Sequence, residues 1–231
     1  MPRLVLQAIG AVLPAALAVA LSPFPVIGVV LILAGTHGRR NGPLFAAGWV
    51  AGLVVVTVLV VAVFGGADDS GSTSAVAADW LRILFGAGLV SGGIRKWWKR
   101  APVDEVEAVP GWMASLDDAS ASRALGLGVL LSAANPKNFV LTAAAATSMV
   151  EAGVHGTDLV VAVAVFVALA SVTVVGAVVV RLVGGQWGVS LLESVRHFMV
   201  ANSVVITVIV LVILGAKILG DGLSGLRAPG G

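Results

Sequence analysis

Six apolar stretches occupy most of this chain and leave it one class of fold. They run from Leu4 to Ala34, Leu44 to Phe64, about Ala75 to Ile94, Arg123 to Glu151, Leu159 to Val180 and Ala201 to Leu219. About 20 apolar residues in a helix cross a hydrocarbon core roughly 30 Å thick. The chain is 58% hydrophobic and only 11% charged, outside the range of soluble domains. The expectation is an all-α, polytopic membrane protein with six transmembrane helices. Cysteine is absent, which removes disulfides, thiolate metal sites and thiol redox chemistry. The net charge of +2 comes mostly from bases in loops beside apolar stretches, a pattern that reports topology and gives no sign of a nucleic-acid partner.

The first stretch is too long for one span, since its 31 residues would extend about 46 Å as a straight helix. Ser22-Pro23-Phe24-Pro25 lies inside it, and two prolines at that spacing must break or kink the helix. Ala18-Val19-Ala20 resembles a signal-peptide cleavage site, but Arg3 is the only base ahead of it and the apolar run continues past it. The segment is therefore read as membrane-embedded.

The fourth stretch carries a polar interruption, Ser132-Ala133-Ala134-Asn135-Pro136-Lys137-Asn138-Phe139. Lys137 stands thirteen residues from Ala124 and thirteen from Val150, near the midplane of the run. A lysine there costs about 2.5–3.5 kcal/mol on insertion scales, so a functional role is the default reading. The side chain reaches only about 6 Å against some 15 Å to either interface, which makes snorkelling inadequate. All twelve acidic residues lie in loops or at span ends. Pro136 cannot continue a helix through Asn135, but Asn135 as N-cap with Pro136 at the first helical position begins a new one well. Two half-helices are expected to meet there, the second offering free N–H groups, a positive dipole end and the Lys137 ammonium to an anion.

The two halves resemble each other. The first three spans begin with a segment broken at Leu21–Pro25 and the next three with one broken at Leu131–Pro136. Three spans per half require the repeat to be inverted, and interrupted segments in matching positions are the sequence pointer to a transporter's midplane site. The predicted organisation is a first half over residues 1–100, a cytoplasmic linker over 101–122 and a second half over 123–231, all in one membrane domain. Within the linker, Trp112 to Leu116 could lie along the membrane surface. Candidate substrate-binding residues are Ser22, Pro23, Pro25, Ser132, Asn135, Pro136, Lys137 and Asn138. Ser22 and Asn135 would cap the half-helices, and Ser22-Pro23 and Asn135-Pro136 would face each other across the bundle.

Counted by alternate loops, Arg39, Arg40, Arg95, Lys96, Lys99, Arg100, Arg123, Arg181 and Arg196 fall on one side. Arg3, Arg82, Lys217 and Arg227 fall on the other, which places both termini outside the cytoplasm. Arg95 to Arg100, with Trp97 and Trp98, reads as an interface anchor. His37, His155 and His197 sit at span ends and read as interfacial residues; no metal site is expected. Gly86-Ala87-Gly88 and Gly126-Leu127-Gly128 either let helices approach closely or reflect the frequency of glycine in membrane helices. No nucleophile-base arrangement or phosphate-cradling loop is present, so neither an enzyme nor a cofactor is expected.

Taken together, L-S-P-F-P-V-I (21–27), R-R-N-G-P (39–43), W-M-A-S-L-D (112–117), A-L-G-L-G (124–128), N-P-K-N (135–138) and G-A-K-I-L-G-D-G (215–222) resemble the GAP family. These are the actinobacterial peptidoglycolipid and sulfolipid addressing proteins, a branch of the LysE translocator superfamily. The resemblance implies an inner-membrane protein that helps deliver a glycolipid, an anionic one in the sulfolipid branch, to the cell surface. It also implies membrane lipids as partners and leaves room for a homodimer or a larger lipid-export complex. More distant LysE relatives export amino acids, so a small anionic solute is the alternative cargo. A scaffold that transports nothing is the other.

Overall fold

The residue before a proline is pushed out of the helical region of backbone space, and that rule cuts the chain at two places. Ser22 has φ −68° and ψ 117°, and Asn135 has φ −71° and ψ 115°, so the two breaks share one backbone conformation. The computed structural model describes residues 2–65, 71–99 and 119–227, and every regular element among them is helical. Around the first break lie α1 (Pro2–Ala20) and α2 (Pro23–Ala34). Around the second lie α5 (Ala121–Val129), a π-helical turn (Leu130–Ala134) and α6 (Pro136–Glu151).

The other elements are α3 (Gly38–Gly65), α4 (Gly71–Trp98), α7 (Gly156–Ala170), α8 (Val172–Val183), α9 (Gly185–Ala201) and α10 (Ser203–Arg227). They include apolar helices consistent with a multi-pass membrane protein. Three of the described helices, α1, α3 and α10, are long and apolar enough to cross a membrane, over Arg3–Ala20, Gly38–Val63 and Ser203–Leu226. A fourth is gained if α7 and α8, bent by 59°, count as one span.

Four local expectations need correction. Arg39 and Arg40, counted above as loop residues between the first two apolar stretches, lie instead in the first turn of α3, which starts at Gly38. Helix α4 begins at Gly71, inside the stretch expected to be loop. The fifth apolar stretch is bent at Ser171, where neither proline nor glycine marks the sequence. The connection after it contains a complete amphipathic helix, α9. The expectation for Trp112–Leu116 falls outside the described residues.

The chain divides into two compact units. The first takes Met1–Gly66 and Val106–Ala201. At its centre is α2, where ten of twelve residues are buried. A helix apolar all round belongs in such a centre. Phe45, Trp49 and Leu53 of α3, Leu141 and Met149 of α6, and Phe166 of α7 are also fully buried in this unit.

Helices α3 and α5 approach until their backbones touch. A Cβ on Gly128 would strike Phe45 O and come 2.7 Å from Trp49 N, whereas one on Gly126 would meet nothing within 4 Å. One glycine of that motif is thus required by packing and the other is not. Gly128→Val should lower thermal stability in detergent by the roughly 1–3 kcal/mol of an overpacked core, or more, while Gly126→Ala should not destabilise the protein. Equal melting temperatures for the two variants would contradict this packing.

The second unit takes Ala67–Glu105 and Asn202–Gly231, in which α4 and α10 lie along each other. Gly86 and Gly215 let them approach closely: a Cβ on Gly86 would come 2.7 Å from Gly215 O, and one on Gly215 2.8 Å from Gly86 O. Gly88 has open space around it.

Candidate polar site at the helix breaks

A helix break frees carbonyls as well as amides, and in an apolar interior both must find partners. In an unbroken helix Ala20 O would accept from the amide of Phe24. Here Thr173 of α8 donates its hydroxyl to it, at 2.6 Å. Leu131 O faces a similar difficulty, because the next partner along a π turn would be the nitrogen of Pro136, which carries no proton. Asn138 Nδ2 fills that place at 2.9 Å.

The other end of the same amide joins the two breaks. Ser22 donates its hydroxyl to Asn138 Oδ1 at 2.7 Å, with Ala18 O a longer alternative at 3.3 Å. Lys137 Nζ donates to Ser22 Oγ at 3.0 Å. Ser22 and Asn138 are buried and Lys137 is half-buried. The order is therefore ammonium to hydroxyl to amide to backbone carbonyl, running from the start of α2 to the start of α6.

The structure brings Ser22, Lys137 and Asn138 together, but Ser22 does not do the work expected of it. Ser22 occupies the N-cap position of α2 without making a capping bond. Pro23 and Pro25 have no N–H to cap, so two of the first three helical positions offer nothing to its hydroxyl, which turns to Asn138. Asn135 does cap α6, accepting from Lys137 N at 3.1 Å. That bond occupies an amide expected to be free for an anion. Pro23, Pro25 and Pro136 shape the breaks and add no polar contact.

Ser132 lies apart from the cluster. Its hydroxyl turns back to Gly128 O and Val129 O, at 2.9 and 3.0 Å, and its side chain fills the space beside Gly52 of α3. Thr173, by contrast, was missed by the sequence reading although it belongs to the neighbourhood of the break. The signal was present in Ser171-Val172-Thr173, two hydroxyl residues within an apolar run. Among the described residues no group of three or more His, Asp or Glu side chains could hold a metal.

Two half-helices start at this junction with an ammonium between them. Their positive dipole ends and the lysine act in the same direction, and the low dielectric of the surroundings strengthens both. A family model described as Sap, sulfolipid-1-addressing protein, matches residues 12–224. The chain belongs to that family. No curated protein and no solved structure matches it. The region matched to the sulfolipid-1-addressing family contains both breaks and every residue of the polar cluster. It also contains an open apolar groove of about 1050 Å³ between α3, α7 and α8, which crosses the bend at Ser171 and is walled chiefly by valines and alanines.

Proposed function

We propose that this protein exports an anionic glycolipid, or assists its export, and holds the charged headgroup at the junction of the two broken helices. The observation that carries this reading is the Lys137–Ser22–Asn138 chain, which links the first turns of both half-helices inside an apolar unit. Membership of a family described as sulfolipid-1-addressing supports an anionic lipid as cargo. The headgroup would be exposed alternately to either side as the two breaks shift against each other. The lipid's acyl chains would stay against apolar surface, for which the groove between α3, α7 and α8 is suited.

The packing supports the inverted three-plus-three arrangement. Helix α1 lies against α7 as α5 lies against α3, and α4 pairs with α10, the relations a two-fold between the halves would generate. On this reading the protein is a six-span plasma-membrane protein with both termini extracytoplasmic, and a homodimer or a larger complex would complete the lipid path. One observation favours a second reading. The Lys137 ammonium beside two half-helix starts also suits the carboxylate of a small solute such as an amino acid.

The deciding experiment is lipid analysis of the surface and cell-associated fractions of a deletion strain. The expected result is loss of one anionic glycolipid from the surface with retention inside the cell, restored by the wild-type gene. Unchanged lipids together with altered amino-acid efflux would replace this reading with the second.

A further inference from the structure

Helix α9 has no place in an arrangement of membrane spans, and its surface explains why. Its residues fall into three stripes with the same helical spacing, each displaced by one residue from the next. Gly188, Leu192 and Met199 are buried, on a helix that packs against α2 and α8. One residue earlier, Trp187, Leu191 and Phe198 are apolar and exposed, at 66%, 36% and 59%. One residue earlier again, Gln186, Ser190 and His197 are polar and exposed, with Glu193 beside them. Successive residues stand about 100° apart, so the helix passes in order from a protein-facing side to an exposed apolar side to a polar side.

The connections set this helix at the basic end of α2 and α8. Arg181, at the end of α8, donates Nε to Leu33 O near the end of α2, at 3.2 Å. Arg39 and Arg40 follow directly in the first turn of α3. Helix α9 leaves this basic end through Gly184 and Gly185, the latter at φ +52°, a conformation that favours glycine. A Cβ on Gly188 would come 2.5 Å from Val180 O, so α9 crosses close against the end of α8. It stops at Ala201, and the candidate span of α10 begins at Ser203. Seventeen residues extend about 25 Å, short of the roughly 30 Å of a hydrocarbon core. The Glu193–Arg196 pair, at 3.9 Å, also suits a wet surface better than a membrane interior.

We infer that α9 lies in the plane of the bilayer at the basic end of the protein, with Trp187, Leu191 and Phe198 in the boundary between headgroups and acyl chains and the Ser190–His197 stripe facing water. Its partner is the lipid boundary of the membrane that α10 enters. Indoles prefer that layer, and a helix with one apolar and one polar side adjacent to each other settles there. Because α9 rests on α2, the half-helix that begins at Ser22 is braced against the headgroup layer.

The absence of cysteine makes the test direct. Single-cysteine variants Ser190→Cys, Leu191→Cys, His197→Cys and Phe198→Cys carry a nitroxide in phosphatidylethanolamine–phosphatidylglycerol vesicles, with Ile209→Cys of α10 as the reference inside the membrane. Collision with oxygen relative to a water-soluble nickel chelate should be several-fold greater at 191 and 198 than at 190 and 197, and greatest at 209. Equal nickel access at all four α9 sites would overturn the inference by placing the helix in water. Low access to both relaxers at 191 and 198 would overturn it by showing that protein covers the stripe. A nickel-accessible label at 209 would remove the membrane span on which the inference stands, and none of these outcomes bears on the role of Lys137.

Discussion

Lys137→Met is expected to lower export by roughly ten- to a hundred-fold while leaving the protein inserted and folded. The size follows from the bond removed: a hydrogen bond involving a charged group is worth about 1.5–3 kcal/mol, and 1.4 kcal/mol is a factor of ten in affinity. The sparing of the fold follows from the local geometry. Ser22 keeps its own proton on Asn138 when the ammonium is gone, so the substitution leaves the serine hydroxyl paired. It also relieves the chain of a charge that costs about 2.5–3.5 kcal/mol to insert. Stability should therefore hold or rise as transport falls, a combination a purely structural lysine would not produce. Surface lipid in the complemented deletion strain, measured beside the melting temperature in detergent, separates the two. Unchanged export by a properly inserted Lys137→Met protein would remove Lys137 from the mechanism. Lys137→Arg should be intermediate, because a planar guanidinium keeps the charge but cannot reproduce an ammonium's approach to Ser22.

The breaks were legible because they follow from covalent chemistry. A proline lacks an N–H and constrains its predecessor, so Ser22-Pro23 and Asn135-Pro136 announced their backbone conformations with no tertiary information. Lys137 was legible for a related reason: a charge amid a long apolar run stands out in any reading of hydropathy. The work of Ser22 could not be read. Its assignment as a cap rested on residue type, and the prolines that marked the break also removed two of the three amides in its reach. Its real partner lies 116 positions away, a separation no local pattern encodes.

The bend at Ser171 shows the same limit, since the bond beside it, from Thr173 to a carbonyl on α1, joins residues 153 positions apart. Helix α9 was missed for a different reason. Continuous apolar runs mark spans, whereas three stripes displaced by one residue average to a mixed composition. The signal was the recurrence of apolar pairs at 187–188, 191–192 and 198–199, with spacings of four and seven.

Asn138 should be the most sensitive position in the cluster, and two substitutions divide its functions. Asn138→Leu keeps approximate volume but removes both polar ends, leaving Leu131 O without its donor and the Ser22 hydroxyl without its nearer acceptor in a fully buried place. Each stranded group costs about 1–3 kcal/mol, so destabilisation of roughly 2–6 kcal/mol is expected. Residual hydrogen bonding from Ser22 to Ala18 O would hold the loss toward the lower end. At about 2–4 °C per kcal/mol for a chain of this size, melting in detergent should fall by roughly 4–24 °C. Asn138→Asp instead keeps the acceptor for Ser22 and loses only the donor to Leu131 O, while placing a carboxylate in the same hydroxyl's neighbourhood as Lys137. An ammonium that acquires an internal counter-ion has less to offer an anionic headgroup, so this variant should fold better than Asn138→Leu and still fail in export. Wild-type export by Asn138→Asp would mean that the cluster holds the broken helices together and that the headgroup is recognised elsewhere.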